Sequence, residues 1–229
     1  MVNEQVRIAA IDVDGTLVDG QTQALLVRHL LARRMLTLPV ALSVGIWFTR
    51  YRLGFSVDHV GIRRRVFAQL AGMSISDVAG LVDAVFTDAI RGRVRSLAVE
   101  EIKRLRAEGV EVVLVSASVE PLITRIARAV GVSHVIATRL VVARGRLTGE
   151  LDGAVIEGNG KLDAFRNWAN GQFGRWELTD AYGDHVSDVP LLEVAQRAWA
   201  VCPDAALKSE AQRRGWKCLN WRETDAPAR

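Results

Sequence analysis

The chain has 229 residues, 49% of them hydrophobic and 24% charged, enough to bury one substantial core and carry one insertion. Its formal net charge is only +4, and no stripe of aromatics is interleaved with basic residues to stack bases. A specific nucleic-acid enzyme is therefore disfavoured despite the consecutive arginines Arg63 to Arg65. Two cysteines, Cys202 and Cys218, have neither metal-ligand spacing nor a disulfide framework, and read as reduced, buried and cytosolic.

The N-terminus MVNEQVRI lacks an apolar stretch ahead of the first strand, so no signal peptide is expected. Ile8 to Gly20 reads IAAIDVDGTLVDG, an apolar strand running into Asp12 and Asp14 and then the turn residues Gly15 and Thr16. Alternate side chains share one face of a strand, and where the strand breaks into a loop the two carboxylates can converge. Two such carboxylates need a cation. Mg²⁺ suits them, because it takes hard oxygen ligands, keeps several waters and is usually completed by substrate phosphate. That chemistry makes Asp12 a nucleophile and Asp14 an acid and base. A calcium loop fails on spacing, since Leu17 stands where glycine is required and Gln23 where glutamate is. Taken alone, the pattern is also that of an ordinary turn.

From Thr16 to a helix expected at Ser96 to Glu108 there is no strand alternation, and a helical insertion is expected. Its helices fall at Gln21 to Arg34, Val57 to Leu70 and Ser76 to Ile90, with Pro39 tolerated at a helix start. Met35 to Phe48 is apolar nearly all round. It is too short to span a bilayer, which takes about 20 residues, and is interrupted by Thr37 and Pro39 and stopped by Arg50 and Arg52. Around it Arg28, Arg33, Arg34, Arg50, Arg52, Arg63, Arg64 and Arg65 face one acid, Asp58. An apolar helix amid arginines suggests peripheral contact with a membrane surface or an amphiphilic anionic substrate. The competing reading is a buried helix or a homodimer contact.

Three later segments complete the set. Val110 to Val115 is a short apolar run, as expected of a parallel strand buried on both faces, and ends at Ser116, Ala117 and Ser118. EGNGKLDAF delivers Lys161 from a glycine-rich turn at a helix start, where its ammonium can neutralise phosphate oxygens. LTDAYGDHVSDVPLLEVA is a strand ending at Gly183, followed by Asp184, Ser187 and Asp188 at the mouth of a helix. Each piece has a bland alternative as a helix cap, a turn residue or a solvated lysine. Together they all fall at carboxyl ends of expected strands, where ligands bind in open α/β sheets. The last six residues, TDAPAR, are expected to be disordered.

These four segments resemble the motifs of the haloacid dehalogenase superfamily, and within it the phosphoserine-phosphatase-like branch, subfamily IB. Asp12 and Asp14 match D-x-D-G-T, Ser116 the serine of the second motif, Lys161 the lysine of the third, and Asp184 with Asp188 the G-D-x-x-x-D motif. The segment AWAVCPDAALKSEAQRRGWKCLNW looks like the closing strand, helix and strand of that branch. The resemblance implies a Rossmann-like three-layer α/β core with a parallel sheet over residues 1–18 and 92–229, and a helical cap over 19–91 inserted after the first strand. It implies a Mg²⁺-dependent phosphomonoesterase working through an aspartyl-phosphate. Asp12, the backbone carbonyl of Asp14, and Asp184 would hold the ion, with Asp188 bound through water or just behind. Thr16, Ser116, Ala117 and Lys161 would bind phosphate.

The pattern departs from neighbouring chemistries. A P-type ATPase would read DKTGT, whereas this chain reads DVDGT, and a dehalogenase does not need the second aspartate. In the cap, IRRRV places Arg65 at the substrate-binding arginine of phosphoserine phosphatases, while Gln21 stands where they carry the glutamate that holds an ammonium group. The apolar, basic cap looks instead like that of bacterial members acting on lipid phosphates such as phosphatidylglycerophosphate, and histidinol phosphate is a third family substrate. His185 replaces a small residue, as an outward-facing spectator or a group that tunes substrate or metal. A cytoplasmic phosphatase, soluble or peripheral to the inner face of the membrane, is the resulting expectation; a non-catalytic binding module on the same fold is the alternative of another class.

Overall fold

A computed structural model describes residues 5–52 and 59–222. The first strand, β1 (Val6–Asp12), is apolar at every position from Ile8 to Ile11, and all four side chains are fully buried. Such a strand needs cover on both faces. Four helices follow, α1 (Thr22–Ala32), α2 (Leu38–Arg52), α3 (His59–Ala68) and α4 (Ile75–Val85), then one π-helical turn at Phe86–Ile90 and a 3-10 turn at Arg91–Arg93. The chain continues as α5 (Ser96–Ala107), β2 (Glu111–Val119), α6 (Glu120–Val130), β3 (His134–Ala143), β4 (Arg146–Asp152) and α7 (Asn159–Gln172). It closes with β5 (Trp176–Gly183), α8 (Val189–Glu193), β6 (Arg197–Val201), α9 (Ala205–Arg214) and β7 (Lys217–Leu219).

The seven strands form one sheet in the order β4-β3-β2-β1-β5-β6-β7. β1 lies between β2 and β5, parallel to both, so the strand order reverses beside it and opens a crevice at the carboxyl ends. The alternation of β1 explains the two cores. Ile8 and Ala10 point to one face, packed with Phe165 of α7, Leu191 and Leu192 of α8 and Leu207 of α9. Ala9 and Ile11 point to the other, where Ile102 of α5 and Leu122 and Ile126 of α6 cover them. That second core runs on without a break into Leu26 and Leu30 of α1 and Val78, Val82 and Val85 of α4.

The α/β architecture with a largely parallel sheet matches the sequence reading. β4 does not follow from that reading: it pairs antiparallel with β3 through the two-residue turn Arg144-Gly145. Both turn residues have positive φ, at 50° and 72°, as the common tight hairpin requires, but Arg at the first position hides the usual Asn-Gly or Asp-Gly signal. The hairpin also holds the helical insertion. Gly72 N–H donates to the Leu147 carbonyl at 2.8 Å, Leu147 N–H to that of Met73 at 2.9 Å, and Gly149 lets Ala68 of α3 approach where a side chain would collide.

Several boundaries move. The helix expected over 76–90 is α4 plus the π-helical turn, with Phe86 and Ile90 still buried; α4 starts one residue earlier because Ser74 and Asp77 form a reciprocal cap. The apolar helix begins at Leu38 rather than Met35, because Arg34 turns the chain with φ 55°. Val57, Asp58 and TDAPAR lie outside the described residues. Cys218 corrects the expectation of burial: it is exposed on the edge strand β7, while Cys202 is half-buried and both thiols are free. Among the described residues no helix is long and apolar enough to cross a membrane.

Candidate active site

β1 delivers Asp12 buried at its carboxyl end. The chain then leaves the sheet through a tight loop, in which Gly15 takes φ 86° and its N–H bonds the Val18 carbonyl at 2.9 Å. The loop turns Asp14 toward β2. Ser116 Oγ donates to Asp14 Oδ2 at 3.2 Å, and the Thr22 N–H at the start of α1 donates to Asp14 Oδ1. The Ser118 N–H in turn donates to Ser116 Oγ at 3.0 Å and fixes that hydroxyl. The Ala117 carbonyl accepts from Gln23 Nε2 at 2.7 Å and from Thr138 Oγ1 at 2.9 Å, which fastens the end of β2 to α1 and β3.

α7 starts at a Gly158 with φ 57° and carries Lys161 in its first turn. Lys161 Nζ lies 2.5 Å from Asp12 Oδ1 and 2.5 Å from Asp188 Oδ1, in a buried triad. The other oxygen of Asp188 accepts from the backbone N–H groups of Asp184 and His185, each at 3.2 Å. Asp12, Asp184 and Asp188 offer oxygens that all lie within 4.8 Å of one another. Glycines make the crowding feasible, since a β-carbon at Gly183 would fall 2.6 Å from that of Asp188.

Lys161 pairs with two carboxylates, Asp12 and Asp188, with Asp184 and Asp14 close enough to add their charge, and the balance shows in their proton affinities. Burial raises Asp12 well above the ordinary carboxylate range; Lys161 opposes this, and the charges of Asp188, Asp184 and Asp14 add to it. Burial and the neighbouring Asp188 push Asp184 up to about 7. Asp14 is raised by burial against the hydrogen bonds from Thr22 and Ser116. For Lys161, burial works against the charge, but Asp12 and Asp188 overcome it and hold the ammonium protonated. Asp12 Oδ2 is buried with no hydrogen-bond partner among the described residues. A buried carboxyl oxygen left open beside two further carboxyl groups has the donor chemistry of a hard divalent cation site, and these residues fit Mg²⁺.

The expected residues divide into two groups. Asp12, Asp14, Ser116, Ala117, Lys161, Asp184 and Asp188 meet at the carboxyl ends of β1, β2 and β5, although the Asp14 side chain faces Ser116 and Thr22 rather than the three-carboxylate group. Thr16 is fully buried in the loop, its hydroxyl without a partner among the described residues. Gln21 and Arg65 are exposed, and neither side chain makes a hydrogen bond among the described residues. The His185 side chain points outward, accepts from the Ser187 N–H at 3.2 Å and lies 3.6 Å from Asp204.

Two contributors have no sequence signature. Gln23 reaches the Ala117 carbonyl at the end of β2 from a position that reads as plain helix. Arg95 is a buried arginine whose Nη2 bonds Asp19 Oδ1 at 2.8 Å and the Gly15 carbonyl at 3.4 Å, while Nη1 reaches the Trp221 carbonyl at 3.4 Å. It braces the loop that follows the first motif.

This sheet order, with carboxylates and one lysine at the ends of its central strands, defines a Rossmann-like α/β protein with a candidate active site. Residues 9–193 match the haloacid dehalogenase-like hydrolases, and the chain belongs to that family. It is 30% identical over 225 residues to a phosphoserine phosphatase of Mycobacterium tuberculosis, covering 96% of this chain and 73% of the relative. A probable phosphatase of the same organism is 35% identical over 160 residues, 70% of this chain and 55% of the relative, so the chain spans about half the length of that protein. Among solved structures, a Bordetella pertussis protein of unknown function superimposes with a TM-score of 0.86 at 28% identity, covering 96% of this chain and all of that one.

Proposed function

We propose that the chain is a Mg²⁺-dependent phosphomonoesterase of the phosphoserine-phosphatase-like branch, subfamily IB, acting in the cytoplasm through an aspartyl-phosphate on Asp12. The observation that carries this reading is the state of Asp12: one oxygen fixed by Lys161, the other buried and open beside Asp184 and Asp188. Asp12 would attack phosphorus in line as the bond to the leaving oxygen breaks. Asp14, whose proton affinity is raised by burial, would protonate that oxygen and later take a proton from the water that cleaves the acyl phosphate. Lys161, the Ser116 hydroxyl and the Ala117 N–H would neutralise the phosphoryl oxygens, the electrostatic role that dominates phosphoryl transfer. Asp12, the Asp14 carbonyl and Asp184 would hold Mg²⁺, with Asp188 direct or through water; the ion supplies positive charge against the transferring group.

The segment 19–91 is proposed as the cap that selects the substrate over a core of 1–18 and 92–229. Phosphoserine is favoured by the named relative and by Arg65. A lipid phosphate is favoured by the absence of a glutamate at Gln21 and by the apolar, basic helices of the cap. The test is phosphate release with Mg²⁺ across phosphoserine, histidinol phosphate, sugar phosphates and short-chain phosphatidylglycerophosphate, with Asp12→Asn as control. Release that depends on Asp12 supports the reading and its ranking names the substrate; no such release leaves a binding module on this fold.

A further inference from the structure

The chemistry above leaves the outer face of α2 unused. Leu38, Leu42 and Ile46 recur every four residues, which puts them in one row along the helix. They are 72%, 59% and 63% exposed. The opposite side is anchored, with Val44 buried and Val40 and Ala41 packed against the main core. Leu31, at the end of the preceding helix, is exposed as well. Single exposed leucines are ordinary, but an aligned row on one well-anchored helix is an apolar ridge facing solvent.

The charge around the ridge identifies its partner. Residues 20–73 hold eight arginines, no lysine and one acid, a local balance of +7. The whole chain carries +4, so everything else is net −3. The positive excess of this protein therefore lies entirely in the segment that bears the ridge. Arg28, Arg34, Arg64 and Arg65 are exposed there, as is Arg33, which lies 3.8 Å from Asp88. A second copy of the chain would set +7 against +7, and a nucleic acid offers nothing for aliphatic side chains to bury in. A surface that is negative outside and hydrocarbon beneath satisfies both features.

We propose that the outer face of α2 docks on an anionic lipid surface, lying in its plane with Leu38, Leu42 and Ile46 in the acyl boundary and the flanking arginines on lipid phosphates. The helix rests on the membrane and does not cross it. No residue assigned to phosphate chemistry at the strand ends takes part, so the surface stands or falls independently of the proposed reaction.

The test is co-sedimentation of the full chain with vesicles of equal parts phosphatidylglycerol and phosphatidylcholine, against vesicles of phosphatidylcholine alone. Two variants separate the two contributions. Leu38→Gln/Leu42→Gln/Ile46→Gln removes the ridge without changing charge, and Arg33→Gln/Arg34→Gln removes charge without touching the ridge. Circular dichroism and gel filtration check that each stays folded, as exposed positions should allow. Binding is expected only to the anionic vesicles, weakened about tenfold or more by either variant and by raising salt from about 0.05 to about 0.5 M. Absence of binding to anionic vesicles overturns the proposal, as does binding that the triple variant leaves unchanged. A solution dimer that the triple variant dissociates would also overturn it, by assigning the ridge to a second copy.

Discussion

Gly15 lies directly against the carboxylate of Asp184: a β-carbon at position 15 would fall 1.9 Å from Asp184 Oδ2. The contact is between backbone and a carboxylate of the three-carboxylate group, and Gly15 has φ 86°, which side-chain-bearing residues rarely adopt. Gly15→Ala must therefore both strain the loop and push Asp184 aside. We expect divalent-cation affinity to fall about 10- to 100-fold, as when other supports of a metal site are lost. A titration of Mg²⁺ against a direct probe such as calorimetry checks this, and an unchanged affinity with normal activity would remove Asp184 from the ion's ligands.

Lys161 is the ammonium between Asp12 and Asp188. Lys161→Met keeps the bulk and removes the charge, leaving two buried carboxylates without their cation. Removing one partner of a buried pair costs about 3–5 kcal/mol, so the variant should lose stability as well as turnover. Urea denaturation measures the first. A variant as stable as the parent would mean that the carboxylates are already compensated in some other way.

Arg95 acts at one remove. Its contacts to Asp19, the Gly15 carbonyl and the Trp221 carbonyl connect the loop of the first motif to the far end of the chain. Arg95→Ala leaves these acceptors unpaired and opens space, and should cost about 2 kcal/mol of stability. Because the loop carries Asp14, kcat should fall further than KM changes. Equal kcat in variant and parent would limit Arg95 to a purely structural role.

Asp180 gives a pH signature far from the chemistry. Its side chain is fully buried, and burial alone would raise it, but hydrogen bonds from Arg197 at 2.7 and 2.8 Å and from Trp199 at 2.9 Å outweigh burial and hold it below the ordinary carboxylate value. A carboxyl lowered by folding contributes stability that is full above its unfolded value and is lost as pH falls through the lowered one. Stability of the parent should thus decline from about pH 4 downward more steeply than that of Asp180→Asn. Denaturation midpoints over that range decide it, and parallel curves would refute the coupling.

The extent to which the sequence is readable follows from what each residue depends on. β1 and β2 are apolar runs because both faces are covered, so local composition suffices to find them, and their carboxyl ends point to Asp12 and Ser116. Lys161, Asp184 and Asp188 are legible for the same reason, each following a strand or a glycine turn. Gln23 is not, because its role depends on α1 passing beside Ala117, a contact 94 residues away. Arg95 is invisible for the same cause. The exposure of the α2 ridge is equally tertiary: Leu38 and Val44 look alike in sequence, and only packing decides which one faces water.

The central position of β1 has a consequence for synthesis. A ribosome releases this strand well before its neighbours β2 and β5, which begin only at residues 111 and 176. Throughout that interval the growing chain carries an unpaired apolar strand, and an Asp12 whose lysine partner lies 149 residues further on. Contacts of such separation form slowly. A chain cut short before α7 would carry Asp12 without its ammonium partner, so this buried cluster is completed late.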